Sequence, residues 1–120
     1  MSAVPRPDAQ SGQEIVVFVT AASEEEAGKI GRAVVEAGLV ACANVIPRIH
    51  SIFFWEGKVV QEQECLLLLK SRAGLFEDLI AAVKSGHSYS VPEIIALPII
   101  QGSKDYLAWI REATSRTPQK

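Results

Sequence analysis

The patterned part of the chain begins with "EIVVFVT" (14–20), a short β-branched run that is apolar at both parities. That pattern predicts a strand buried on both faces, in the middle of a sheet. The period then changes. In "SEEEAGKIGRAVVEAG" the residues Ala27, Ile30, Val34 and Ala37 recur at helical spacing. Ser23 is placed to cap this helix, Glu24 to Glu26 complement its positive end, and Gly38 closes it. Gly28 and Gly31 lie inside, each costing about 1 kcal/mol relative to alanine; close packing on the sheet would account for them. Two β-rich runs, roughly 40–55 and 58–71, flank Glu56-Gly57 and predict a long hairpin. Pro47 removes a ladder donor, so it marks a bulge or an edge position. "AGLFEDLIAAVKSGH" predicts a second amphipathic helix, with Leu75, Phe76, Leu79, Ile80 and Val83 inward and Gly86 as its stop. "EIIALPII" (93–100) is a fourth strand. "SKDYLAWIREA" is a last helix, capped by Ser103, with Tyr106, Leu107, Trp109 and Ile110 on its apolar side.

The order β-α-β-β-α-β followed by a C-terminal helix predicts an α+β, ferredoxin-like fold: an antiparallel sheet with two helices on one face. The other face should then be polar at every second position. It is not, because "FVT", "SIFFW", "LLLL" and "IIALPII" are apolar at both parities. An uncovered apolar face of this extent calls for a partner, and one short final helix cannot shield four strands. Self-association is the expectation.

Composition narrows the class. The chain has 120 residues, 48% hydrophobic and 22% charged, with a net charge of −2, which suits one soluble globular domain rather than a disordered or fibrous chain. Lysine and arginine form no basic stripe, so nucleic acid is not an expected partner. No apolar stretch is long enough to span a membrane, and "MSAVPRPDAQSGQ" has no apolar signal region. The composition of residues 1–13 and 116–120 reads as a disordered lead and a flexible tail around one domain at 14–115. Two cysteines in a chain without a secretory signal read as free thiols, which places the protein in the cytoplasm.

Candidate chemistry is sparse. With Trp55-Glu56-Gly57-Lys58 as the hairpin turn, Cys42 faces Ser71, Cys65 faces Arg48 and His50 faces Gln63. The two cysteines then lie roughly 20 Å apart along the ladder and cannot form a disulfide or share a metal within one chain. His50 and Cys65 are diagonal neighbours on one face, a two-ligand set that a bulge at Pro47 would disturb. Two ligands fall short of a structural zinc site, and no CxxC, HxxxH or HExxH spacing occurs; a soft ion such as Cu(I) tolerates so few. Glu62 and Glu64 share one strand face and read as solvated. No nucleophile–base spacing points to an enzyme. "HSYSVPE" (87–93) gathers His87, Tyr89 and Glu93. They read either as a metal or small-ligand site at a junction between subunits, or as a helix-ending histidine, an interface tyrosine and a surface carboxylate.

Five blocks together resemble a known family: "ACANVIP" (41–47), "FFWEGKV" (53–59), "ECLLLLKS" (64–71), "HSYSVPEIIALPI" (87–99) and "YLAWI" (106–110). In this order, over roughly residues 14–113, the chain is similar to CutA, the divalent-cation-tolerance proteins. The resemblance implies a ferredoxin-like subunit in a tight homotrimer, built like the PII signalling proteins. It also implies a part in the response to metal ions and no enzymatic reaction or required cofactor. Family metal binding is associated with cysteine, and Cys42 is the matching position. With His50 and Cys65 it makes the expected metal set, for copper or another divalent cation, unless Cys42 is simply a small buried hydrophobe. A PII-like alternative expects a small anionic ligand in clefts between subunits, near Trp55, Lys70, His87, Tyr89 and Glu93. The chain departs from the family at Ser90, where an acidic residue is common, and this weakens a metal reading of the 87–93 loop.

Overall fold

The computed structural model describes residues 12–116. In chain order these form β1 (Glu14–Ala21), α1 (Glu24–Glu36), β2 (Cys42–Trp55), β3 (Lys58–Arg72), a single 3₁₀ turn (Ala73–Leu75), α2 (Phe76–Ser85), β4 (Ile94–Pro98) and α3 (Lys104–Ala113). The four strands make one antiparallel sheet in the order β2-β3-β1-β4. This is the α+β, ferredoxin-like arrangement the periodicity predicts, with the extra C-terminal helix.

β1 lies inside the sheet because it can bury both faces. Its odd-numbered side chains, Ile15, Val17, Val19 and Ala21, meet Leu67 and Leu69 of β3 and the inward residues of α1 and α2 in one core that includes Ala27, Ile30, Val34, Leu79 and Val83. Such burial of branched side chains is worth about 1.5–3 kcal/mol each. The even-numbered side chains face away from those helices. There α3 covers one end of the sheet. Its Ile110 is fully buried, Arg111 Nη1 meets Glu14 Oε2 at 2.6 Å, and Arg72 Nε donates to Thr114 Oγ1 at 2.8 Å. The rest of this face stays open. Ile95, Leu97, Ile46 and Phe53 are exposed on it.

The caps follow the sequence. Ser23 Oγ accepts from the Glu26 N–H at 3.1 Å and Ser103 Oγ from the Tyr106 N–H at 3.3 Å. Gly38, at φ 74°, ends α1, and the Leu39 N–H returns to the Val34 carbonyl. Of the two glycines inside α1, only Gly31 is a packing glycine. A Cβ there would lie 3.1 Å from Ala43 Cβ, whereas one at Gly28 would meet nothing within 4 Å.

The expected hairpin register holds over its outer half, where Trp55 pairs with Lys58 and His50 with Gln63. It fails over the inner half. A bulge between Ile46 and Ile49, carrying Pro47 and an Arg48 at φ 63°, shifts the ladder by one residue. Cys42 therefore faces Lys70, not Ser71, and Cys65 lies opposite the bulge instead of pairing with Arg48.

The described chain begins inside the fold: Gln13 Nε2 donates to the Ile99 carbonyl at 3.0 Å, and its own carbonyl accepts from the Ala73 N–H. Residues 1–11 and 117–120, which include most of the expected lead and tail, lie outside the described residues. No helix among the described residues is long and apolar enough to cross a membrane.

Candidate ligand pocket between the hairpin and the 87–93 loop

The segment after α2 is fixed by one imidazole. His87 is fully buried at its side chain. Its Nε2 lies 2.7 Å from the Thr20 carbonyl at the end of β1, and its Nδ1 lies 3.0 Å from the Tyr89 backbone N–H. A carbonyl can only accept and a backbone N–H can only donate. The ring is therefore the neutral tautomer with its proton on Nε2, and the Glu26 carboxylate 3.9 Å from Nδ1 is not an ion-pair partner. Glu26 instead accepts from the Ser88 hydroxyl at 2.8 Å. His87 thus does not cap α2 with its ring; it ties the loop to β1.

That tie aims Tyr89 at the sheet. Its ring rests on the imidazole with centroids 4.7 Å apart, and its hydroxyl donates to Glu64 Oε2 at 2.7 Å. Burial, first, and the Glu64 hydrogen bond, second, push the Tyr89 phenol well above its ordinary value, so it stays a donor. Glu64 was expected to be solvated together with Glu62. Glu62 is exposed, but Glu64 is only 8% exposed. The signal was present in the parity: on β3, positions 64, 66 and 68 share the open face, so Glu64 continues the apolar row of Leu66 and Leu68 under the loop.

Between this loop and the hairpin lies a pocket of about 720 Å³. Trp55, Tyr89 and Glu93 line it, as do Phe53, Glu62 and Glu64. Of the five residues expected to share a ligand site, the fold therefore brings three into one wall. His87 stands behind that wall. Lys70 is elsewhere: it sits six residues along β3 from Glu64, roughly 20 Å at the usual rise, and its ammonium donates to Asn44 Oδ1.

The expected metal residues are split between the two faces of the sheet, Cys42 on the open one and His50 and Cys65 on the other. Cys42 is half-buried on the open face, where its thiol lies 3.7 Å from Asn44 Oδ1. Burial, and then the neighbouring Cys42 thiol, push the Tyr106 phenol above its ordinary value. Cys65 is buried in the core beneath α1 and α2, while His50 is exposed on the outer hairpin. Both cysteines are free. No three His, Cys, Asp or Glu side chains among the described residues come together in a way that could hold a metal ion.

A ferredoxin-like sheet with one helix-covered face, one largely open apolar face, an elongated bulged hairpin and a loop-roofed pocket defines the class of protein. Within that class the chain belongs to the CutA1 divalent ion tolerance protein family, whose model matches residues 15–113. The divalent-cation tolerance protein CutA of Thermus thermophilus is 50% identical over 101 residues, covering 84% of this chain and 98% of the relative. Protein CutA of Homo sapiens is 43% identical over 116 residues, covering 92% of this chain and 65% of the relative. This chain spans 55% of the chloroplastic CutA of Arabidopsis thaliana, so some relatives are much longer. The solved structure of the divalent cation tolerance protein from Thermus thermophilus superposes with a TM-score of 0.82 at 49% identity, covering 83% of this chain and 97% of that one.

Proposed function

We propose that this CutA1-family chain acts in divalent-cation tolerance as a non-catalytic cytoplasmic homotrimer that binds copper or another divalent cation weakly. The observation that carries the reading is the position of Cys42. It is the free thiol that solvent reaches, and it lies on the open sheet face against which a second copy would pack. A soft ion could there find thiolates from several subunits, which one chain cannot supply. The exposed apolar side chains of that face support self-association. The free thiols fit a reducing compartment. The non-catalytic part is supported by the relatives' names, which describe tolerance proteins, and by His87, whose two ring nitrogens are both engaged by backbone groups. Titration calorimetry under reducing conditions tests the binding. Heat is expected with Cu(I) at tens of micromolar protein and is lost in Cys42→Ser; no heat with Cu(I) or Zn(II) overturns it. A monomer in sedimentation overturns the trimer.

The pocket favours a second reading, a PII-like module that binds a small ligand. Its wall within this chain carries carboxylates, so an anionic ligand would need its positive partners from a neighbouring subunit. A thermal-shift screen of nucleotides and metals separates the two readings. A nucleotide response without a metal response would put the second first.

A further inference from the structure

The contacts of the buried His87 ring determine what a second proton on it would do. Nε2–H donates to the Thr20 carbonyl of β1, and the Nδ1 lone pair accepts the Tyr89 N–H. The side chain is fully buried, so no water stands ready to adjust either contact. A proton at Nδ1 takes that lone pair. The Tyr89 N–H, which can only donate, then faces another donor. An imidazolium held there without an anion would be a buried, unpaired charge.

The anion is already in place. From α1, Glu26 sets Oε1 3.9 Å from Nδ1, and among the described residues it is the only carboxylate within 4 Å of a ring nitrogen. β1 presents the Thr20 carbonyl. β3 meets the ring indirectly, through Tyr89, whose phenol donates to Glu64. Lys84 of α2 gives its carbonyl to the His87 N–H and is itself exposed. The Glu26 side chain is only 15% exposed, so most of its desolvation is already incurred. Its present partners are the amide and hydroxyl of Ser88, an exposed residue. Water replaces those bonds when the carboxylate turns to the ring.

We infer that the 87–93 loop is a proton-driven switch: a second proton on His87 moves Nδ1 from the Tyr89 amide to the Glu26 carboxylate, and the released Tyr89 backbone loosens the loop from β3. The ring stays seated, because Nε2 keeps its proton and the Thr20 carbonyl. The proton comes from solvent and returns to it as pH rises, and only hydrogen bonds change. The switch works within one chain, apart from any metal at Cys42 and from the oligomeric state.

Heteronuclear spectra of the full chain test it, recorded from about pH 8 to 4.5 to span the range in which imidazoles ordinarily charge, with circular dichroism at each step. His50, the other histidine of the chain, is exposed on the hairpin and serves as the internal control. The His87 ring nitrogens and the Tyr89 amide are expected to shift in one common step while the dichroism holds, and Tyr89 amide exchange, corrected for its intrinsic pH dependence, to quicken about tenfold across it. Glu26→Gln should move that step to lower pH. His87→Gln, which keeps a donor and an acceptor, should abolish it. If His87→Gln does not fold, Glu26→Gln carries the test. A Tyr89 amide that stays still while the His87 ring charges overturns the switch. So does a ring that stays neutral until the dichroism is lost, since that is acid unfolding alone. A Tyr89 step that survives in His87→Gln assigns the titration to Glu26 or Glu64 and overturns the inference, and a step unmoved by Glu26→Gln overturns the exchange of partners.

Discussion

The phenol of Tyr89 carries a proton that the fold retains, and this sets a pH dependence. Its folded value is raised above the unfolded value of about 10. The corresponding stability is fully present below the unfolded value and drains away as pH climbs past it towards the folded one. Tyr89→Phe removes the hydroxyl and leaves Glu64 without its donor, which costs about 1–3 kcal/mol near neutrality. Denaturant midpoints measured from about pH 8 to 11 should therefore fall steeply for the natural chain and less for the phenylalanine variant, so that the curves approach each other; parallel curves would contradict the assignment. Residue chemistry was only partly legible in the sequence. Tyr89 and Glu93 stood out as polar residues in one short loop, but Glu64 is ordinary by composition. Strand parity places it in the row of Leu66 and Leu68, but its burial also depends on the loop folding over the sheet, through Tyr89 25 positions away. His87 was readable as a notable residue and not as an anchor, because its partner Thr20 lies 67 positions away.

Among the elements, helix α1 shows what periodicity can and cannot resolve. Gly28 and Gly31 look alike in sequence, yet only Gly31 abuts the sheet, through Ala43 on β2. Gly28→Ala should stabilise the fold by about 0.5–1 kcal/mol, since helix propensity rises and nothing is displaced. Gly31→Ala sets its new methyl against a strand Cβ that cannot swing aside, and should be neutral or destabilising. Urea unfolding of the pair checks this, and equal stabilisation by both would count against the packing role. The strands were legible to within one or two residues at most ends because their apolar runs are bounded by glycine, proline and polar residues. The hairpin turn was legible as well: Glu56 and Gly57 both adopt positive φ, at 51° and 82°, as a two-residue connection between twisted strands requires. The bulge was not placeable. Pro47 permits an edge position with or without an extra residue, and β2 uses both devices. The one-residue shift that follows is why Cys42 meets Lys70.

At the scale of the whole molecule the fold class followed from element order, and the open apolar face followed from strands that failed to alternate. Those are the features that depend on composition over many residues, so single errors average out. The face leads to a direct test. Leu97 lies on it opposite Val16, 44% exposed and outside the helix-covered core. Leu97→Lys should leave the circular dichroism unchanged and lower the sedimenting mass towards the monomer; an unchanged oligomer would show that the face is not the contact. Within the chain a different kind of connection spans the sheet. The Thr20 carbonyl, the His87 ring, the Tyr89 backbone and phenol, and the Glu64 carboxylate form one relay of obligate donors and acceptors. The imidazole nitrogens are thus wired to the pocket without lining it. Their nitrogen resonances, which separate protonated from unprotonated ring positions, would report from inside the fold whether the contacts joining β1, the loop and β3 are intact.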